Sequence, residues 1–395
     1  MAQIRVGFIG LSASGWAATA LFPSLQAPSV RPSFVVTALC TSSAASAAAL
    51  YAAQIGSPIT PYHGPHGAAQ LAHDPRVDLV VVAVKAPAHS DAGKDVFVEW
   101  PAGAAREETV KMEERARAQG VRVMVGLQGR YSATAKVVRG VLLVVLLLRM
   151  SLTPWAEDQR YDREWEARES AVQHRHSAIP QMGSMSRDNL YWGPQISEGS
   201  AYIYQPRSGA SFSEIILGHQ LDTFTHVLGD FASVSATSTI AYPSATVVDS
   251  TSTSTPPATV RVTAPDHIAL TGLLASGALV SMVYRAGYAP TPGRTTFLWE
   301  IDCERGSIRV EAPPPTGPRS HLMNICDMPV YVCGERVEFD GAGLVGNLAA
   351  GWVGYAEEKR GEGQGGYVTI GEAVKNRRLL DAIEESAREG KTVHL

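Results

Sequence analysis

The strongest constraint on this chain lies near its start, where a short apolar run empties into a glycine-punctuated turn. Ile4 to Ile9 reads as a strand, and Gly10-Leu-Ser-Ala-Ser-Gly15-Trp16-Ala17 follows it at once. Glycines there let a backbone come close to a pyrophosphate, and the next helix offers N–H groups and the positive end of its dipole. The spacing departs from G-x-G-x-x-G, and tight strand-to-helix turns use glycine for steric reasons alone. The loop gains meaning only from what comes after it.

What comes after is an alternation of β-branched runs with Ala-rich stretches, the pattern of a parallel sheet with crossover helices. Phe34 to Leu39, Leu79 to Val84, Val96 to Val98 and Val121 to Val125 read as four further strands, and Glu107 to Gln119 as a charged crossover helix. Apolar residues fill the runs without strict alternation, as in strands covered on both faces. Residues 1–130 are therefore expected to form a Rossmann doubly wound parallel sheet that binds a dinucleotide. One connection breaks the pattern. Only eleven residues separate Val84 from Val96, among them Pro87 and Gly93, too few for a full crossover helix.

Beyond residue 130 the texture changes, and residues 131–395 are expected to form an α+β domain with a largely antiparallel, open sheet. Ser211 and Glu214 make an S-x-x-E capping box before a helix with Phe212, Ile215, Ile216, Leu221 and Phe224 on its apolar side, closing at Gly229. Strands are predicted at Ser233 to Ala241 and Ala258 to Val262. Two hairpins follow, Ile268 to Leu274 with Leu279 to Tyr284, and Phe297 to Asp302 with Ser307 to Glu311. Ser250 to Pro257 and Ala312 to Pro318 read as loops, and Ile370 to Arg388 as an amphipathic helix. The stretch 141–190 is atypical: Val137 to Leu152 is almost continuously apolar, and Trp155 to His176 is dense in charge without an apolar stripe. This stretch and the short connection fit faults of the gene model, one coding piece skipped and one intervening piece translated or misframed.

Composition removes several alternatives. With 45% hydrophobic and 18% charged residues the chain buries a real core, and a net charge of −4 argues against a nucleic-acid surface. Four cysteines without C-x-x-C spacing indicate neither a disulfide framework nor zinc. His63/His66 and His174/His176 lie in loop-like stretches lacking acids at ligand spacing, so no metal is expected. The chain enters its first strand without a signal-like apolar run, and Val141 to Leu148 falls far short of the roughly 18 residues that span a bilayer. A cytoplasmic protein without membrane contact is the expectation.

The end of the second strand, Leu39-Cys40-Thr41-Ser42-Ser43, carries neither the acid that holds a ribose nor an arginine that takes a 2′-phosphate. NAD and NADP both stay open, with a lean to NADP or to tolerance of both.

At this point several motifs fall into a familiar order. Gly7 to Ala17, Val77-Asp-Leu-Val-Val-Val-Ala-Val-Lys85, Gly93-Lys-Asp-Val-Phe-Val-Glu99-Trp100-Pro101, Gly126-Leu-Gln128-Gly-Arg130, Gly218-His219-Gln-Leu-Asp222, Ala264-Pro-Asp-His267 and Gly366-Tyr-Val-Thr369 resemble the glucose–fructose oxidoreductase / inositol dehydrogenase family. The Val-Glu-Trp wording and the Gly126 to Arg130 segment are closest to its fungal branch, which contains the galactose-regulon repressor. The resemblance implies an NAD(P)-binding domain, a second domain whose open sheet forms a homodimer, and a substrate between the two. It places cofactor contacts at Gly10, Ser12, Ala13, Ser14, Gly15, Trp16, Thr41, Ser42, Val84, Glu99 and Gln128.

It also implies a damaged catalytic set. Where the family carries its lysine this chain has Trp100, and the family's aspartate four residues before His219 is Ile215. Glu214 is adjacent but about 100° round a helix. His219 alone is in place, able to serve as an acid–base group near neutral pH, or simply as a helix residue with Asp222 as its structural partner. Trp100 stacks on a ligand or fills the space the lysine left, and Arg130 most simply anchors the interdomain turn, with a substrate contact as the other reading. Two functions follow. One is an NAD(P)-dependent oxidoreductase acting on a small polyhydroxy or carbonyl substrate. The other is a catalytically inactive dinucleotide sensor that binds a regulatory protein partner and works in the nucleus.

Overall fold

The computed structural model describes residues 2–11, 15–43, 59–84, 93–151, 177–182, 192–197, 200–206, 208–248, 258–287, 295–303, 306–312, 322, 324–363 and 365–395. Six parallel strands form the first sheet: β1 (Ile4–Ile9), β2 (Phe34–Thr41), β3 (Thr60–His63), β4 (Leu79–Val82), β5 (Asp95–Glu99) and β6 (Val123–Gly126). Their spatial order is β3-β2-β1-β4-β5-β6, the doubly wound arrangement in which the chain reverses direction between β1 and β4 and opens a crevice at the strands' carboxyl ends. β4 and β6 are buried at every position, which is why they read Leu-Val-Val-Val and Val-Met-Val-Gly without a polar side chain. β3 is the strand sequence reasoning missed. Its exposure alternates along Thr-Pro-Tyr-His, and a proline is tolerated because it lies at the sheet's edge.

The helices of this half are short. A π-helical turn, Ala17–Leu21, continues into α1 (Phe22–Leu25), and α2 (Gly67–His73) and α3 (Arg106–Gln119) cover the sheet. β4 and β5 pair as parallel neighbours, Leu79 opposite Asp95. The connection that sequence finds too short for a helix falls largely at 85–92, outside the described residues.

In the second half α4 (Ala133–Ser151) takes up the apolar run as a helix. Among the described residues no helix is long and apolar enough to cross a membrane. The charge-dense stretch 152–176 lies outside the described residues. β7 (Ser177–Met182) then enters the middle of a nine-stranded sheet, pairing parallel with β13 (Leu279–Arg285) and antiparallel with β14 (Phe297–Cys303). A central strand therefore lies inside the atypical stretch. The rest of the sheet is antiparallel: β9 (Phe231–Thr239), β12 (His267–Leu274), β15 (Gly306–Glu311), β16 (Val330–Val332), β17 (Glu335–Val337) and β18 (Val393–His394). A small third sheet joins β8 (Gln195–Ser197), β10 (Ser244–Val248) and β11 (Thr259–Arg261).

α5 (Gly218–Leu228), preceded by a second π-helical turn at Ser213–Leu217, lays Phe224 on the large sheet, 5.6 Å from the Phe231 ring and 5.8 Å from Trp299. α6 (Gly343–Arg360) returns to the first sheet from more than two hundred residues away. Its Trp352 ring sits 4.8 Å from Phe97 and donates to Ser24 Oγ at 2.8 Å, and the Tyr355 hydroxyl donates to Asp95 at 2.8 Å. α7 (Ile370–Glu389) closes the chain with a Thr369/Glu372 capping box.

Candidate functional site

The crevice at the carboxyl ends of β1, β4 and β5 opens into a cleft of about 710 Å³ between the first sheet and α5. Its construction begins at Gly10, which leaves β1 with φ +90° and donates its N–H to the Cys40 carbonyl at 2.9 Å. A Cβ there would collide with the Val84 side chain and approach the Ala83 carbonyl to 3.3 Å, so glycine is required for two independent reasons. Gly15 starts the π-helical turn, accepting from the N–H groups of Ala18 and Thr19. Ser12, Ala13 and Ser14, expected in the same loop, lie outside the described residues.

Trp16, Val84 and Glu99 meet on the cleft wall as the motifs imply. The Trp16 indole N–H donates to Glu99 Oε1 at 2.9 Å. Burial pushes the Glu99 carboxyl up to about 7, against the opposing pull of the Trp16 and Trp100 N–H donors. Thr41 turns its hydroxyl inward and donates to the Ser43 carbonyl at 2.8 Å, and Ser42 is exposed beside it. Neither residue belongs to the cleft lining.

Gln128 follows β6 and lies on the same cleft. Its side chain is 1% exposed, and neither amide atom has a hydrogen-bond partner among the described residues. His219 is in the same condition: it is buried, Nδ1 has no partner, and desolvation pushes its pKa down to about 4. Buried polar atoms are normally paired. Three unmatched atoms on one cleft mark where a ligand's polar groups belong, and together with the Gly10 turn they fit a nicotinamide dinucleotide.

Trp100 is fixed in place. Its indole N–H donates to the Glu214 carbonyl at 2.7 Å, and its ring lies flat on Gly218, where a Cβ would meet it at 2.5–2.9 Å. The side chain that replaces the family's lysine thus bridges the first sheet to the turn carrying His219. Glu214 turns away from the cleft. It closes the expected capping box with Ser211, taking the Ser211 N–H at 3.1 Å, and pairs with Arg377 of α7 at 3.0 Å. Ile215 and Ile216 line the cleft instead.

The structural reading of His219, with Asp222 as its partner, does not hold in the pairing observed. Asp222 accepts two bonds from Arg130, at 2.8 and 2.6 Å, and Arg130 also reaches Glu372. The fork geometry of the guanidinium satisfies the buried carboxylate better than an imidazole would. This leaves His219 Nδ1 buried without a partner among the described residues and makes Arg130 the anchor of the interdomain turn.

Sequence reasoning missed the far wall, formed by Met112, Trp192, Tyr202, Ile203, Leu322 and Ile325. These residues come from segments with no motif of their own, so nothing short of the fold could assemble them. Among the described residues no group of three His, Cys, Asp or Glu side chains could hold a metal ion.

Comparison with known proteins agrees with this anatomy. Residues 4–127 match the oxidoreductase family with an NAD-binding Rossmann fold, and residues 179–312 match the Gal80p C-terminal domain. A dehydrogenase of Aspergillus oryzae, aclE, is 27% identical over 98% of this chain and 97% of its own length. The structure of a super-repressor mutant of Gal80p from Saccharomyces cerevisiae superposes with a TM-score of 0.78 at 19% identity, covering 100% of this chain and 99% of that one. The WlbA dehydrogenase of Bordetella pertussis, solved with NADH and UDP-GlcNAcA, gives 0.64 at 17%, covering 100% and 99%. Residues 4–127 thus carry the NAD-binding Rossmann domain of the oxidoreductase family, and residues 179–312 are similar to the C-terminal domain of Gal80p.

Proposed function

We propose that this protein binds NAD or NADP along the crevice from Gly10 to Gln128 and acts as a weak oxidoreductase on a second molecule held beside His219. The observation that carries the proposal is the set of buried, unmatched polar atoms on Gln128 and His219, two residues that line one cleft at the strands' carboxyl ends. The dinucleotide supplies a hydride acceptor or donor when bound. The chain's own part is to bind and orient. The Gly10 turn admits the pyrophosphate, and the Gln128 amide matches a carboxamide, donor to acceptor and acceptor to donor. His219, neutral at pH 7, exchanges a hydrogen bond with a ligand oxygen.

A base with a pKa of about 4 takes a proton from an alcohol poorly. No lysine stands at position 100 to stabilise an alkoxide. Alcohol oxidation should therefore be slow. The aclE dehydrogenase supports the catalytic reading. Trp100, locked to the Glu214 carbonyl, favours a second one, a dinucleotide-sensing regulator of the kind named by the Gal80p relatives. A sensor would bind its protein partner with an affinity that changes with NAD(P), reciprocally. In either case the open face of the nine-stranded sheet is where a homodimer would form, and the cytoplasm is the proposed compartment.

Calorimetry with NAD, NADH, NADP and NADPH tests the core of this proposal. Micromolar binding of at least one of them is expected, with Gln128→Leu at least tenfold weaker. A folded protein that binds none of the four would end both readings. Trp100→Lys combined with Ile215→Asp should raise dehydrogenase turnover if the cleft is catalytic, and leave it at background if the protein only senses.

A further inference from the structure

We infer that the part of the cleft beyond the dinucleotide takes a neutral, largely apolar ring compound with one hydrogen-bonding oxygen, and not a polyol, sugar or sugar acid. The inference rests on the dinucleotide reading above and names the class of the second ligand.

The far wall is apolar and flat. Trp100, Trp192, Ile203, Ile215, Ile216 and Ile325 face it, and the polar atoms these residues own are already used. The Trp100 indole donates to the Glu214 carbonyl, and the Trp192 indole donates to the Ala210 carbonyl at 3.0 Å. Glu108, lower on the same wall, takes the Ala104 N–H at 2.8 Å. Among the described residues lining the cleft there is no lysine or arginine, so those residues offer a carboxylate or phosphate no counter-charge.

With Gln128 given to the dinucleotide, the unmatched buried atom left for a second ligand is His219 Nδ1. Ser208, Asn324 and Tyr202 are further polar residues of the lining, the first two half-buried and the third exposed, so none of them adds a buried unmatched atom. A ligand with one oxygen at His219 and apolar surface elsewhere matches that supply. A hexitol or inositol would bring six hydroxyls to it. Each one buried without a partner weakens binding by roughly tenfold. The two positions that would receive hydroxyls in a polar site, 100 and 215, are an indole engaged elsewhere and an isoleucine.

The test uses the full chain saturated with whichever dinucleotide it binds. 2-Naphthaldehyde and 1-naphthol serve as neutral aromatic probes, myo-inositol and glucose as polyols, and glucuronate as an acid. Equilibrium binding is read by calorimetry and by quenching of tryptophan fluorescence, since Trp100 and Trp192 line the wall. The expected result is a Kd for an aromatic probe at least tenfold below that of every polyol and of glucuronate. Ile215→Asp should weaken the aromatic probe at least tenfold, and His219→Leu about tenfold. Polyols or glucuronate binding as tightly as the aromatic probes, or no small molecule binding to the dinucleotide-loaded protein, would overturn this inference and leave the dinucleotide reading standing. Absence of dinucleotide binding by the folded chain would remove that reading, and this inference with it.

Discussion

The two walls of the cleft are built by different means. The wall proposed for the cofactor is local: Gly10, Val84, Glu99 and Gln128 each sit at or just past the carboxyl end of a parallel strand, or close to it. The wall for the second ligand is assembled from segments near residues 112, 192–203, 215–219 and 322–325, brought together by the helix from 218 to 228 and the interdomain turn. A strand end fixes its residue's place through the sheet's own hydrogen bonds. The far wall depends on long-range ties that hold one domain against the other. Substitutions at those ties should therefore cost stability, whereas substitutions at strand ends should cost binding.

The largest effect is expected at Arg130. Its pair with Asp222 is nearly buried, with 11% and 1% of the side chains exposed. Arg130→Met strands a carboxylate in the interior and should remove about 3–5 kcal/mol of unfolding free energy, read from urea transitions. A loss below about 1 kcal/mol would show that the walls are held together by something else. Asp222→Leu added to it should recover much of the loss.

Next comes pH. His219 and His226 have pKa values pushed down to about 4, below the 6.5 of an unfolded chain, by burial first and, for His226, by Arg130 and Arg139 as well. Between those pH values the unfolded chain binds more protons, so stability is lost as pH falls from 6.5 toward 4. The contribution of His219 is on the order of 3 kcal/mol, and His219→Gln should flatten that limb. Glu99 has the opposite sign. Its pKa is raised to about 7 from 4.5, so the native state holds a proton the unfolded chain has lost, and stability falls as pH rises through that window. Glu99→Gln should abolish that fall, and also any change in dinucleotide affinity between pH 6 and 8.

Gly10→Ala sharpens the contrast on the other side. Strain at a left-handed position of about 1–3 kcal/mol should weaken dinucleotide binding by roughly tenfold to a hundredfold, while aromatic-probe quenching at the far wall changes little. Equal loss at both walls would mean that they are not independent. The smallest effect is expected for Trp100→Phe, which keeps a ring over Gly218 and loses the bond to the Glu214 carbonyl, about 1 kcal/mol in thermal or urea melts.

Much of the first domain was legible in the sequence, because parallel strands buried on both faces must be apolar throughout and their helices must intervene. The Ser211/Glu214 capping box, the hairpins and the last helix were equally readable from local chemistry. The central strand 177–182 was not. Its Ser-Ala-Ile-Pro-Gln-Met text has no alternation, and only its neighbours 279–285 and 297–303 give it a place. Nor did the text around Trp352 reveal that it completes the core of the first domain, since Leu348, Trp352 and Tyr355 declare an apolar side without saying which sheet covers it.

By itself, then, the sequence determined the glycine turn and the parallel sheet behind it, because each depends on near neighbours and strand periodicity, while only the family resemblance implied that positions 100 and 215 lack a lysine and an aspartate. Tertiary structure decided that Asp222 belongs to Arg130, that Trp100 is spent on a carbonyl and that His219 Nδ1 is buried without a partner among the described residues. Those are matters of which buried polar atoms reach one another across a hundred residues or more, and only the packed domains set those distances.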